Sequence, residues 1–259
     1  MKYERLKRDW LWFAGIGLIA GFLSGLFGVG GGVLIVPLLV LLTGFDHRIA
    51  AGTSLAAIVP TAVVGVISYA APGNVDWIAA ILLALGSILG AQVGSHLLHR
   101  LPKRAIQWGF ILFIAVVAVS LFLVLPSRDA VLELTAPSMI GLVALGLVVG
   151  VLSGLLGIGG GVVIVPALIL LFGSSDLIAK GTSLLMMIPT AISGTIGNML
   201  RRNVDLPAAL LIGVSACTTT VVGAVVSGMI SPFAANALFA AFLAVIAVQM
   251  IFRAMRPLR

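Results

Sequence analysis

The chain has 259 residues, of which 61% are apolar and only 9% charged, with 15 Lys and Arg against 8 Asp and Glu for a net charge of +7. An ordinary soluble domain carries about a quarter charged residues, so there are too few here to cover a surface facing water. Uncharged stretches of 18 or more residues recur, each long enough to cross the roughly 30 Å hydrocarbon layer as a helix. They lack the strict alternation of barrel strands.

The basic residues are clustered rather than spread. Lys2, Arg5, Lys7 and Arg8 precede the first apolar run; Arg100, Lys103 and Arg104 share one short loop; Arg201 and Arg202 share another; Arg253, Arg256 and Arg259 close the chain. Such clusters beside spans follow the positive-inside bias, whereas nucleic-acid binding would need a broad basic face. A single cysteine, Cys217, excludes an intrachain disulfide. The apolar N-terminal run resembles a secretory leader but leads straight into a glycine stretch whose equivalent recurs later, so it is expected in the mature protein.

From Trp10 to Leu42 no residue is charged. One straight helix of that length would run roughly 50 Å, well beyond the bilayer. The glycine cluster at 28–32 supplies the break. This predicts a helix to about Phe27, a turn through Gly28–Gly32, and a short helix ending near Leu42. Spans follow at 50–70, 77–98 and 105–125, then at 138–156, 161–172, 180–200, 206–230 and 236–252.

A shift of 129 residues aligns Gly21–Asp76 with Gly150–Asp205 without a gap, with about thirty positions identical. The chain is a duplication, with repeats at 1–130 and 131–259 forming one integral membrane domain. The fold class is an all-α polytopic membrane protein with two inverted-topology repeats. Each repeat is a glycine-broken hairpin plus three spans, giving about eight full spans or ten helical elements. Five elements per half invert the second copy. With both termini cytoplasmic, the loops at 43–49, 99–104 and 201–205 fall inside and hold most of the Arg and Lys. The loops at 71–76, 126–136, 173–180 and 231–236 fall outside, with only Arg128 and Lys180.

The glycine runs are not a nucleotide loop. The dinucleotide fingerprint lacks its last glycine, no GK[ST] follows, and no strand precedes. Gly21, Gly25, Gly150 and Gly154 suit close helix packing. Three consecutive glycines stop a helix instead. Backbone freed within hydrocarbon must be satisfied by protein or by a water-filled cavity. A short helix starting there aims free N–H groups at the break, and a helix N-terminus attracts anions. Gly30, Gly31, Gly32, Gly159, Gly160 and Gly161 are therefore the expected substrate-binding backbone, two helix starts facing one cavity.

Thr53 and Ser54, with Thr182 and Ser183, open the next span of each half and either cap it or bind the ligand. Pro60 and Pro189 interrupt those spans, followed by Thr61 and Thr190, as hinges or tolerated kinks. Asp76 and Asp205 end the NVD repeats as interfacial helix starts, with gating as the alternative. No carboxylate falls inside a predicted span, no His is placed as a base, and no metal-ligand spacing occurs. An enzyme is therefore not expected, nor is any metal or cofactor. With no proton relay in the spans, uncoupled, potential-driven export is the expected mechanism. A passive channel would use the same residues and stays open.

The motifs GVGGGVLIVP at 28–37, AAGTSL at 50–55 and GNVDW at 73–77 resemble the TauE/SafE sulfite-exporter family, also called the toluene sulfonate uptake permease family. GIGGGVVIVP and AKGTSL match equally well in the second half. The resemblance implies transport of sulfite, sulfoacetate or other organosulfonates across the bacterial inner membrane, by export or by uptake. Basic residues often precede the NVD motif in that family; Arg201 and Arg202 do so here, whereas the first half has Ala71, Pro72 and Gly73. The expected partners are a small anionic substrate and membrane lipid, with a homodimer left open and no nucleic acid.

Overall fold

A computed structural model describes residues 7–102, 134–254 and a few positions between 108 and 119. The span predicted at 105–125 lies largely outside the described residues. Among those residues there is no strand. The first repeat contains α1 (Lys7–Phe27), α2 (Gly32–Leu42), α3 (His47–Ala70) and α4 (Trp77–Arg100). The second contains α5 (Ala136–Leu156), α6 (Gly161–Phe172), α7 (Asp176–Met199) and α8 (Leu206–Met229), followed by α9 (Pro232–Ala254). Six of these, α1, α3, α4, α5, α7 and α8, are long and apolar enough to cross a membrane. At 11 and 12 residues, α2 and α6 are about half as long as a spanning helix.

Helix ends follow local chemistry. Asp76 accepts from Ala79 N at 2.9 Å to start α4, and Asp205 accepts from Ala208 N at 3.1 Å to start α8. Both aspartates are thus helix starts, as the NVD repeats suggest. Three starts differ from expectation by three or four residues, one of them α9, which begins at Pro232 rather than 236. The third helix of each repeat begins three or four residues early, capped by Asp46 on Arg48 N and by Ser175 on Ile178 N. Thr53–Ser54 and Thr182–Ser183 therefore lie inside α3 and α7 and cap neither of them.

Glycines set the closest helix contacts. On α1, a Cβ at Gly21 would lie 2.1 Å from Ala216 O, and one at Gly25 2.0 Å from Thr220 O, both on α8. Gly150 meets Ser87 O at 2.3 Å and Gly154 meets Ala91 O at 2.3 Å in the same way, joining α5 to α4. Only residues without a side chain allow such an approach.

The order of these contacts fixes helix directions. Gly17, Gly21 and Gly25 meet Ile212, Ala216 and Thr220 in turn, so α1 and α8 are parallel. Gly86, Gly90 and Gly94 meet Val143, Leu147 and Val151, so α4 and α5 are parallel. Between α3 and α7 the order reverses: Gly65 faces Leu184 and Gly194 faces Leu55. Gly213 packs on Ala57 and Pro60 while Gly65 approaches Thr220, so α3 runs with α8. Ser87 meets Thr190 and Gln92 meets Ser193, so α4 runs with α7. Helices α1, α3 and α8 therefore point one way, and α4, α5 and α7 the other. The duplicated helices α1 and α5 are antiparallel, and the chain must turn back through α2 to begin α3.

The outer faces carry exposed Leu11, Ile19, Ile81, Leu89, Leu171 and Val214, while Ser24, Thr53, Ser54, Ser87, Thr182 and Ser183 are buried. An apolar exterior around buried hydroxyls suits lipid as the surrounding medium.

Candidate functional site

The two helix breaks meet at the centre of the fold. Gly28, Gly30 and Gly31 have φ of 69°, 70° and 75°, and Gly157, Gly159 and Gly160 have φ of 74°, 81° and 92°. These left-handed values, which L side chains rarely adopt, are why the sequence needs glycine there. Gly31 and Gly160 are the N-caps of α2 and α6, and neither start receives a side-chain cap. A Cβ at Gly32 would lie 2.7 Å from Ile158 O, and one at Gly161 2.6 Å from Val29 Cα. Through Gly32 and Gly161 the two segments expected to bind substrate are thus brought together, each against the backbone of the opposite break.

The expected open cavity between the breaks is closed in this conformation. A Cβ at Gly30 or Gly159 would lie 2.1 or 2.3 Å from the same atom, Met187 Cε, with Ile58 close to both. Ile58 and Met187 are equivalent positions of the two repeats. They plug the junction from α3 and α7.

The Thr-Ser pairs tie each repeat to the break of the other. Ser54 Oγ donates to Gly157 O at 2.8 Å, and Ser183 Oγ donates to Gly28 O at 3.0 Å. Thr53 Oγ1 accepts from Asp205 N at 3.0 Å, and Thr182 Oγ1 accepts from Asp76 N at 2.9 Å. The serines therefore satisfy carbonyls left over where α1 and α5 stop. Ser183→Ala would leave Gly28 O without that donor, and a buried group so orphaned costs about 1–3 kcal/mol. The expected result is a lower unfolding temperature in detergent for Ser183→Ala and Ser54→Ala alike, read by differential scanning fluorimetry.

Thr61 Oγ1 and Thr190 Oγ1 bond back to Ala57 O and Met186 O at 2.9 and 2.8 Å, beside Pro60 and Pro189, and both helices continue through the prolines. Thr190 also meets Ser87 of α4. Arg201 donates to Gly197 O and to Ser95 Oγ, closing the end of α7 on α4. Asn198 bonds back to Gly194 O at 2.9 Å within its own helix.

One pair of charges escapes the sequence reading. Asp176 and Lys180 were expected in an external loop; they lie in the first turns of α7, 2% and 3% exposed. Lys180 Nζ is 3.4 Å from Asp176 Oδ2 and donates to Ser227 Oγ of α8 at 2.8 Å. Gly28, the first glycine of the break, packs on Lys180 Cα and Cβ, each 2.6 Å from its would-be Cβ. Tyr69 donates to Gly25 O at 2.6 Å on the same side. A span without a buried carboxylate, the premise of uncoupled export, is therefore incorrect. The overlooked signal is an Asp–Lys pair four residues apart just ahead of GTSL, where the first repeat has His47 and Ala51.

The profile of the family described as Sulfite exporter TauE/SafE matches residues 2–121 and 142–259. The chain belongs to the TauE/SafE family. Among its relatives, a Haemophilus influenzae protein named "Probable membrane transporter protein" is 30% identical over 256 residues, covering 91% of this chain and 95% of that one. "Probable membrane transporter protein YunE" of Bacillus subtilis is 29% identical over 213 residues, covering 73% of this chain and 78% of its own. A Xylella fastidiosa "Probable membrane transporter protein" is 35% identical over 181 residues, 66% of this chain and 67% of that one. No solved structure matches the chain. This TauE/SafE protein is thus a multi-pass membrane protein of a transporter family.

Proposed function

We propose that this TauE/SafE protein is a carrier of small sulfur-containing anions such as sulfite, sulfoacetate or other organosulfonates, working by alternating access around the paired breaks. The observation that carries this reading is the reciprocal docking of two glycine breaks. Each starts an uncapped half-length helix, and each is held by the serine of the opposite repeat. The partial positive charge at such helix starts favours an anion. Rocking one repeat against the other would part the breaks and uncover the donors to one side at a time. Export is the direction we assign, in keeping with the family's description.

The protein sits in the cell inner membrane with its repeats inverted. Tags at residue 1 and residue 259 are expected in the cytoplasm and a tag in the 126–136 loop in the periplasm. Labelling of that loop from the cytoplasm alone would reject this placement. Function is tested by efflux of labelled sulfite, sulfoacetate and an alkyl sulfonate from proteoliposomes. A carrier gives saturating efflux of at least one of them. Efflux no faster than from protein-free liposomes would reject the reading, and unitary currents would replace the carrier with a channel.

A further inference from the structure

The Asp176–Lys180 pair sits against the first break, and its geometry does not suit a structural bridge. Both side chains are nearly excluded from solvent, at 3% and 4% exposure, yet their closest approach is 3.4 Å. Asp176 Oδ1 is buried without a hydrogen-bond partner among the described residues. Buried pairs stabilise little unless their geometry is excellent, and apolar replacements are often neutral. The first repeat manages with His47 and Ala51 at the equivalent positions. What the pair does have is position: Gly28 rests on the Lys180 backbone, and Ser183 of the next turn holds Gly28 O.

We propose that the Lys180 ammonium, with the Ser227 hydroxyl beside it, is a side-chain station for the transported anion next to the first break, in addition to the two helix starts. Asp176 is its displaceable counter-ion and takes up one proton as the anion enters. This rests on the reading above that the protein carries small anions. The reason is electrostatic. In a buried site one ammonium neutralises one negative charge, so a carboxylate and an anion together leave an uncompensated charge. The proton comes from the aqueous side then open, resides on Asp176, and leaves with the anion on the other side, where the carboxylate pairs again with Lys180. One proton accompanies each anion, so the direction of net transport follows the sum of the anion and proton gradients. Among the described residues, Tyr69 of α3 is the titratable group in electrostatic reach of Asp176, while the Asp76 carboxylate caps α4 and its backbone N–H bonds Thr182. Ser227 is the facing group of α8, and α1 contributes glycine backbone.

The test uses the full chain in detergent with methanesulfonate and nitrate, neither of which titrates between pH 5 and 8. Affinity is read by thermal stabilisation and proton uptake by a pH-indicator dye. For the wild type, apparent affinity for at least one anion is expected to weaken about tenfold per unit rise in pH, because the complex holds one more proton than the free protein. Asp176→Asn should bind with no pH slope and no proton uptake. The double variant Lys180→Gln/Asp176→Asn, which leaves no lone buried charge, should bind at least about 100-fold more weakly. If only nitrate shows this pattern, the site stands and the sulfur-anion reading falls. Proton uptake that persists in Asp176→Asn, wild-type affinity in the double variant, or no response to either anion would each overturn the proposal.

Discussion

Gly161→Leu is expected to abolish transport and to destabilise the folded protein by about 3 kcal/mol, as overpacking of a tightly filled site does. A Cβ at this position would lie 2.6 Å from Val29 Cα, 2.7 Å from Gly28 O and 3.0 Å from Met187 Sδ. Two of those atoms are backbone of the opposite break, which cannot rotate aside. Gly228→Leu on α8 is the control, since among the described residues nothing lies within 4 Å of its would-be Cβ. It should leave unfolding temperature and flux unchanged. Gly31 and Gly160 are poorer positions for separating activity from folding. Their φ of 75° and 92° is left-handed, and added Cβ atoms would meet Ala20 O at 2.8 Å and Val149 Cγ1 at 2.6 Å. Leucine at either is expected to reduce the amount of folded protein as well as flux, rather than to fill a cavity in an intact fold.

The second large effect comes from leaving one charge alone. Lys180→Leu strands the Asp176 carboxylate in a nearly water-free site and should cost about 3–5 kcal/mol, whereas removing both charges should restore most of the loss. The measurement is the unfolding temperature of Lys180→Leu, Asp176→Leu and the double variant. Equal destabilisation of all three would mean that the two residues act independently. Recovery in the double variant identifies an electrostatic pair whose net contribution to stability is small.

The duplication, the helix breaks and the Asp76 and Asp205 starts were legible because each is a local signal: an identical string, a glycine run, an Asp ahead of an apolar stretch. What was not legible depends on the other repeat. Ser54 reads as a helix cap until Gly157 O, 103 residues away, is seen to be its acceptor. Likewise, the site residues could be expected near each other from the repeat alone. That Met187 and Ile58 would fill the space between them depends on how α3 and α7 cross. The buried pair was missed for a different reason. A charged residue ordinarily marks the end of a span, so Lys180 set the boundary of α7, while the helix starts at Asp176 and draws both charges inside. Helix boundaries are where sequence patterns are weakest, and here the boundary concealed the two buried charges beside the first break.

Alternating access around the paired breaks is tested most directly by thiol accessibility at Ser54 and Ser183. Each residue holds one break and differs from cysteine by a single atom. With Cys217 replaced by serine, Ser54→Cys and Ser183→Cys are reconstituted separately and exposed to a membrane-impermeant reagent from either side. Each cysteine is expected to react from one side only, the two from opposite sides. An anion that is transported should raise the reactivity of one while lowering that of the other. Simultaneous modification of both from both sides, unchanged by the anion, would describe a continuous pore and contradict alternation between the breaks.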